Sequence, residues 1–230
     1  MFRLTQDSFS RWMLMLVFHT AAVYELLGSF GYKVLLSMAV FSDIPEQTEW
    51  LRQLFSWFGD PALTPDQSPQ NLARSILFRN NQPIVVEDCG RLNNKAASME
   101  ILEDALVNGA VSCKVGRKDV TLSIQGPIII LSNRLSALTL APEVFVLDLC
   151  PETFDYEYWQ ELEGRIADNR DYLTAFIGFT GENISKLQES LRQGRKLALQ
   201  YSRGDLNGQC LEMLGILLGM NDFLWEFFGS

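Results

Sequence analysis

Three short segments of this chain carry residues that could act on a phosphate. Residues 83–88, PIVVED, are an apolar run that ends in Glu87 and Asp88. Two carboxylates at the end of a buried strand suit phosphoryl transfer, where one holds Mg²⁺ through water and the other polarises the attacking water. Residues 127–133, PIIILSN, form a second apolar run, ending in Asn133, a polar group placed to touch a terminal phosphate or the lytic water. The third segment, residues 41–48, FSDIPEQT, lies between an apolar run and an amphipathic one, where a phosphate-cradling loop would lie. Such a loop needs G-x-x-x-x-G-K-[ST], because glycines let backbone N–H groups close on the phosphates while the lysine neutralises them. On that frame Phe41 and Glu46 stand at the glycines, Gln47 stands at the lysine, and Thr48 alone keeps its type. Ser42, Gln47 and Thr48 are what remains of a nucleotide-binding loop. The same residues offer the helix another end: Asp43 accepting from the first turn, Pro45 pre-set to helical φ and Glu46 bonding back. Side-chain carboxylates are then expected to occupy the anion site themselves.

The elements that would hold these residues follow from periodicity. Residues 34–41 are continuously apolar, as in a strand buried on both faces, and Trp50, Leu51, Leu54, Phe55 and Phe58 then recur at helical spacing up to Gly59. A first helix capped by Asp7 or Ser8 is predicted to run to about Leu27. Residues 61–69 read as a loop, and Ser68-Pro69 opens a short helix through Leu77. A helix over 96–107 ends at Asn108-Gly109, a C-cap signal. The alternating segments 110–115 and 119–124, joined around Gly116-Arg117, predict a β-hairpin with Lys114, Arg117 and Lys118 near its tip. Residues 144–149 make a last core strand. From Pro151 the pattern turns helical: a pair over 152–179 with Tyr156, Tyr158 and Trp159 as anchors, an amphipathic helix over 183–201, and a strongly apolar, aromatic one over 206–228. That last stretch either packs back on the core or forms a partner interface. The expected fold class is α/β, a mainly parallel sheet flanked by helices, with a core over 1–150 and a helical subdomain over 151–230.

The order of these pieces resembles the ATPase domain of superfamily 3 helicases and of related phage and mobile-element primase-helicases. IVVED is similar to the family's acidic strand end, CKVGRKDV to its DNA-contacting hairpin, and GPIIILSN to its sensor strand. The resemblance covers roughly residues 33–150. It implies a P-loop, AAA+-like fold, an acid pair at Glu87 and Asp88, a sensor at Asn133, a Mg²⁺ hydroxyl at Thr48 and a nucleic-acid contact at Lys118 with Lys114 and Arg117 beside it. The chain departs from the family at the phosphate loop, where it has no lysine, and it has no evident arginine finger after the sensor strand except Arg134.

Composition narrows the function classes. A formal charge of −9 argues against a general nucleic-acid coat. Cys89, Cys113, Cys150 and Cys210 lie far apart and His19 is the single histidine, so a structural zinc site is not expected and reduced intracellular thiols are. His19 sits among apolar neighbours and reads as a helix-packing residue rather than a base. The uninterrupted apolar run 12–18 falls far short of the ~20 residues that span a bilayer, so neither a membrane span nor a signal peptide is expected and the location is cytoplasmic. The expectation is a catalytically degenerate helicase-like module, with no cofactor and no metal, that works through a protein partner or self-association in replication of a virus, phage or mobile element. The alternatives are an active ATPase whose missing charge comes from Lys33 or Lys95, with ATP and Mg²⁺ as cofactors, and a single-stranded nucleic-acid binder using the 110–124 hairpin.

Overall fold

Four of the apolar runs form one parallel sheet in the computed structural model, which describes residues 8–32, 36–58, 63–64, 67–79, 82–88, 96–115, 118–124, 126–133, 144–149, 155, 157, 170–204 and 206–229. The strands are β1 (Ser37–Phe41), β2 (Ile84–Asp88), β5 (Ile128–Ser132) and β6 (Phe145–Asp148), in the order β2-β5-β1-β6. Strand β5 thus lies between β1 and β2, with Met38 beside Ile129 and Val85 beside Ile129 in register. Strands buried on both faces need no alternation, and the period of two sorts their residues between two cores instead. Met38, Val40, Val85, Ile129, Leu131 and Leu147 face one core, while Ala39, Ile84, Val86, Ile128 and Ile130 face the other.

The first core is covered by α1 (Ser8–Ala22), α2 (Tyr24–Ser29), α3 (Pro45–Phe55) and three C-terminal helices, α6 (Arg170–Glu182), α7 (Ile184–Ser202) and α8 (Gly208–Gly229). The second is covered by α4 (Pro69–Phe78), α5 (Ala96–Asn108) and the hairpin of β3 (Ala110–Val115) and β4 (Lys118–Ser123). Gly109 adopts φ 59° and turns the chain from α5 into β3, as its place after Asn108 predicts. The aromatic end of the chain packs back: Phe223 and Leu224 are fully buried, and Trp225 lies 5.6 Å from the ring of Trp12.

Two expectations are corrected. The first helix breaks at Val23, one turn early, where the Thr20 hydroxyl donates to the Leu16 carbonyl (2.7 Å) and Val23 N–H turns back to Thr20 O (3.2 Å). A hydroxyl competing for the backbone in this way bends a helix. Leu63, expected in a loop, forms a parallel bridge on the outer edge of β2, accepting from Glu87 N–H and donating to Val85 O at 2.8 Å each. Lys33, Lys95, Arg117, Arg134, Tyr156, Tyr158, Trp159, Cys89 and Cys150 lie outside the described residues, as do Asp7, Gly59 and the side chain of Asp88. No helix among the described residues is long and apolar enough to cross a membrane.

Candidate functional site

The chain leaves β1 to one side towards β2 and reaches β6 on the other, so the topology reverses at the carboxyl end of β1. In open α/β sheets that is where a crevice forms. A cleft of about 200 Å³ opens there, lined by Ser42, Asp43, Thr48, Arg52, Glu87 and Asn133, with Leu131 and Ser132 as its floor. The strand ends are aligned by the register Phe41–Ser132–Asp88 and by Ser42 N–H donating to Ser132 O at 3.0 Å. Ser42, Thr48, Glu87 and Asn133, chosen from three separate segments, therefore meet in one place. Gln47 stands behind them, and Lys114 and Lys118 lie apart on the exposed hairpin.

The helix end at this cleft differs from the predicted one. Ile44, extended at φ −101° and ψ 120°, is the N-cap of α3, Pro45 takes the first helical position, and no side chain caps the first turn. Asp43 sits one residue too early to cap, and Glu46 is exposed outside the cleft lining. Ser42 takes over the local hydrogen bonding: its hydroxyl accepts from Ile44 N–H at 3.2 Å and donates to Gln47 Oε1. Gln47 is only 1% exposed, and its Nε2 has no partner among the described residues. The residue in the lysine position is thus turned inward beside Ser42, away from where a phosphate would sit.

Glu87 is engaged by a residue the sequence reading passed over. The alternation of β2 puts Glu87 on the face of Val85, towards α3, and there Arg52 clasps it: Nε donates to Oε2 at 3.2 Å and Nη2 to Oε1 at 2.7 Å. The remaining Nη1 pairs with Glu49. A two-pronged guanidinium–carboxylate contact of this kind is both stronger and more directional than a lysine pair. The Glu87 side chain is 17% exposed and that of Arg52 34%, so the pair is sheltered beyond the surface pairs that contribute little. A signal for Arg52 was present in the sequence: Thr48 and Arg52 are four apart on α3, so a cleft lined by one is lined by the other.

In the described part of the cleft the acid and the cation engage each other. Both Glu87 oxygens accept from Arg52, Gln47 is buried, and among the described residues no lysine lines the cleft. Arg52→Ala is expected to lower the free energy of unfolding by about 1.5–3 kcal/mol, the range for hydrogen bonds to a charged partner. Adding Glu87→Gln to that variant should cost less than it does alone, because the carboxylate has already lost its partner. Strictly additive losses in urea melts would mean that the two side chains do not pair in solution.

No protein-family model matches this sequence, and no curated protein is similar to it in sequence. Among solved structures, one described as "SCCmec type IV Cch - active helicase" is similar in fold, with a TM-score of 0.67 and 11% identity. The match covers 95% of this chain but 44% of that one, so this chain spans less than half the length of its structural neighbour. At this identity the likeness shows a helicase-like fold.

Proposed function

We propose, from this helicase-like fold and its self-paired cleft, that the chain is a degenerate ATPase-like module that binds partners without hydrolysing nucleoside triphosphates. The observation that carries the reading is the clasp of Arg52 on Glu87. Phosphoryl transfer depends on neutralising charge on the phosphate and on free carboxylates to order metal and water. In this cleft the cation and the carboxylate neutralise each other instead. What the fold then offers is a surface, for another protein or for a second copy, and the resemblance to primase-helicases favours replication of a virus, phage or mobile element as the setting.

Titration calorimetry with Mg-ATP into the millimolar range tests this. Wild type is expected to give no binding heat, and micromolar affinity would overturn the reading. One observation favours a second reading: Arg52 lines the cleft and could swing from Glu87 to a triphosphate, standing in for the lysine. ATP binding that survives in Arg52→Lys and disappears in Arg52→Ala would establish that alternative, an active ATPase with an atypical loop.

A further inference from the structure

Helix α7 is the basic element of an acidic protein. The helix carries four cations, Lys186, Arg192, Arg195 and Lys196, against the single carboxylate of Glu189, with Arg203 just after it and Glu182 and Asp205 on either side, while the whole chain has a formal charge of −9. Their phase is not random. Leu187, Ser190, Leu191, Gly194 and Ala198 are the buried side of the helix. Gln188, Arg192, Arg195, Lys196 and Leu199 fall within an arc of about 100° on the other side, at 3.6 residues per turn, and all are exposed. Arg192 pairs with Glu189 at 2.6 Å, and Lys186, off this arc, with Glu226 at 3.0 Å. Among the described residues Arg195, Lys196 and Arg203 make no ion pair, so the centre of the stripe keeps its charge for something else.

The stripe is bordered by a cleft of about 200 Å³, formed where the turn after α2 meets α7 and α8 and lined by Phe30, Tyr32, Gln188, Arg192, Arg195 and Glu212. Burial raises the Tyr32 phenol pKa, Arg195 and Arg192 pull it down, and Glu212 pushes it up, and all three charged residues line the same cleft as Tyr32. Two arginines beside two half-buried aromatic rings, at the edge of a row of further cations, combine what a single strand needs: guanidinium and ammonium groups along its phosphates, and a ring on which a base stacks.

We infer that the outward face of α7, with the cleft at Tyr32, is a binding surface for single-stranded nucleic acid. Rings and arginines also serve protein interfaces, but cations repeated along one helix face beside a ring match a chain of phosphates with its bases, which is why the nucleic acid is favoured. The surface is distinct from the β3–β4 hairpin. On that hairpin Lys114 lies directly opposite Asp119, so a carboxylate offsets part of its charge. Among the described residues Glu212 is the one carboxylate that lines the α7 cleft, and it favours a base edge there over a phosphate.

Fluorescence anisotropy with a labelled oligothymidylate, from about 50 to 200 mM salt, tests the assignment. Wild type is expected to bind at low salt. Replacing Arg192, Arg195 and Lys196 together by alanine removes three phosphate contacts, which should weaken binding at least tenfold and flatten the slope of log K against log salt by about 2. Alanine is the best helix former at exposed helical sites, so this variant keeps its fold, and a melting curve checks that. Tyr32→Ala should weaken binding about five- to hundredfold with the salt slope unchanged, the signature of lost stacking. Lys114→Ala with Lys118→Ala should leave affinity as it is. The inference is overturned if wild type does not bind, if the α7 variant binds as wild type, if the hairpin variant carries the loss, or if an acidic peptide displaces the oligonucleotide as well as its own unlabelled copy does.

Discussion

Gly194→Ala is expected to destabilise the protein by about 2–3 kcal/mol, even though alanine is a better helix former than glycine by roughly 1 kcal/mol. Gly194 on α7 meets Gly215 and Gly219 on α8, and a Cβ added to it would lie 2.3 Å from Gly215 O and from Gly219 N. Neither neighbour is the end of a flexible side chain; both are helix backbone. The two helices must separate to admit one methyl group, which strips contacts along their whole crossing and from Leu187, Leu191, Met213 and Leu217 in the first core. For a chain of this size the loss corresponds to a melting temperature lower by about 5–10 °C. Gly178 on α6 is the internal control, since a Cβ there meets nothing within 4 Å. Gly178→Ala should therefore stabilise by up to about 1 kcal/mol. Thermal melts in which both substitutions stabilise would show that α7 and α8 do not cross as closely as described, and the basic face of α7 would then lack its fixed mounting.

The second large effect is a loss of stability in mild acid traceable to His19. This side chain is fully buried, with its ring 4.7 Å from that of Phe176. Nδ1 lies 2.7 Å from the Met15 carbonyl, which can only accept, so Nδ1 carries the proton; Nε2 accepts from the Tyr172 hydroxyl, also at 2.7 Å. Burial lowers the histidine pKa from 6.5 to about 4, the hydrogen bond to Met15 opposing it. A lowered folded pKa means that the unfolded chain binds the proton first. Stability is therefore complete above pH 6.5, falls as pH drops below it, and levels off near pH 4, a span worth roughly 3 kcal/mol. Between pH 7.5 and 5 the expected loss is about 2 kcal/mol. His19→Gln keeps a hydrogen-bonding side chain without the titration, so its urea-melt stability should fall less than wild type over that interval by the same amount. Parallel curves would place the histidine in water.

The sequence was most legible where burial was most complete. Residues 34–41, 83–86 and 127–131 are almost continuously apolar, as suits strands of a parallel sheet covered on both faces, so the α/β class followed, whereas the edge strand β6 leaves Val146 and Asp148 exposed. The hairpin and the Asn108-Gly109 turn followed from alternation and from a residue that tolerates positive φ. The place of the cleft was legible too, because Ser42, Glu87 and Asn133 all lie at the ends of strands that the topology aligns. Its contents were less so. The cap moved from Asp43 to Ile44 because the extended backbone runs one residue further before Pro45 starts the helix, and local patterns do not resolve a shift of one. The Arg52–Glu87 clasp joins residues 35 apart in the chain, and no window of periodicity spans that; only the phase of α3 and the pleat of β2, taken together, point each at the other. The inner side of α7 was legible in part: of Ile184, Leu187, Leu191 and Leu197, which the pattern puts there, Leu187 and Leu191 are buried and Ile184 and Leu197 are exposed.

We propose that the cleft at the end of β1 does not carry out phosphoryl transfer, and steady-state phosphate release from Mg-ATP tests this most directly. Wild type and Glu87→Gln are expected to release phosphate at the same background rate, with and without single-stranded nucleic acid, because a carboxylate already held by Arg52 contributes nothing to the reaction. A wild-type rate well above background that Glu87→Gln abolishes would contradict the account and make this chain an ATPase with an unusual loop.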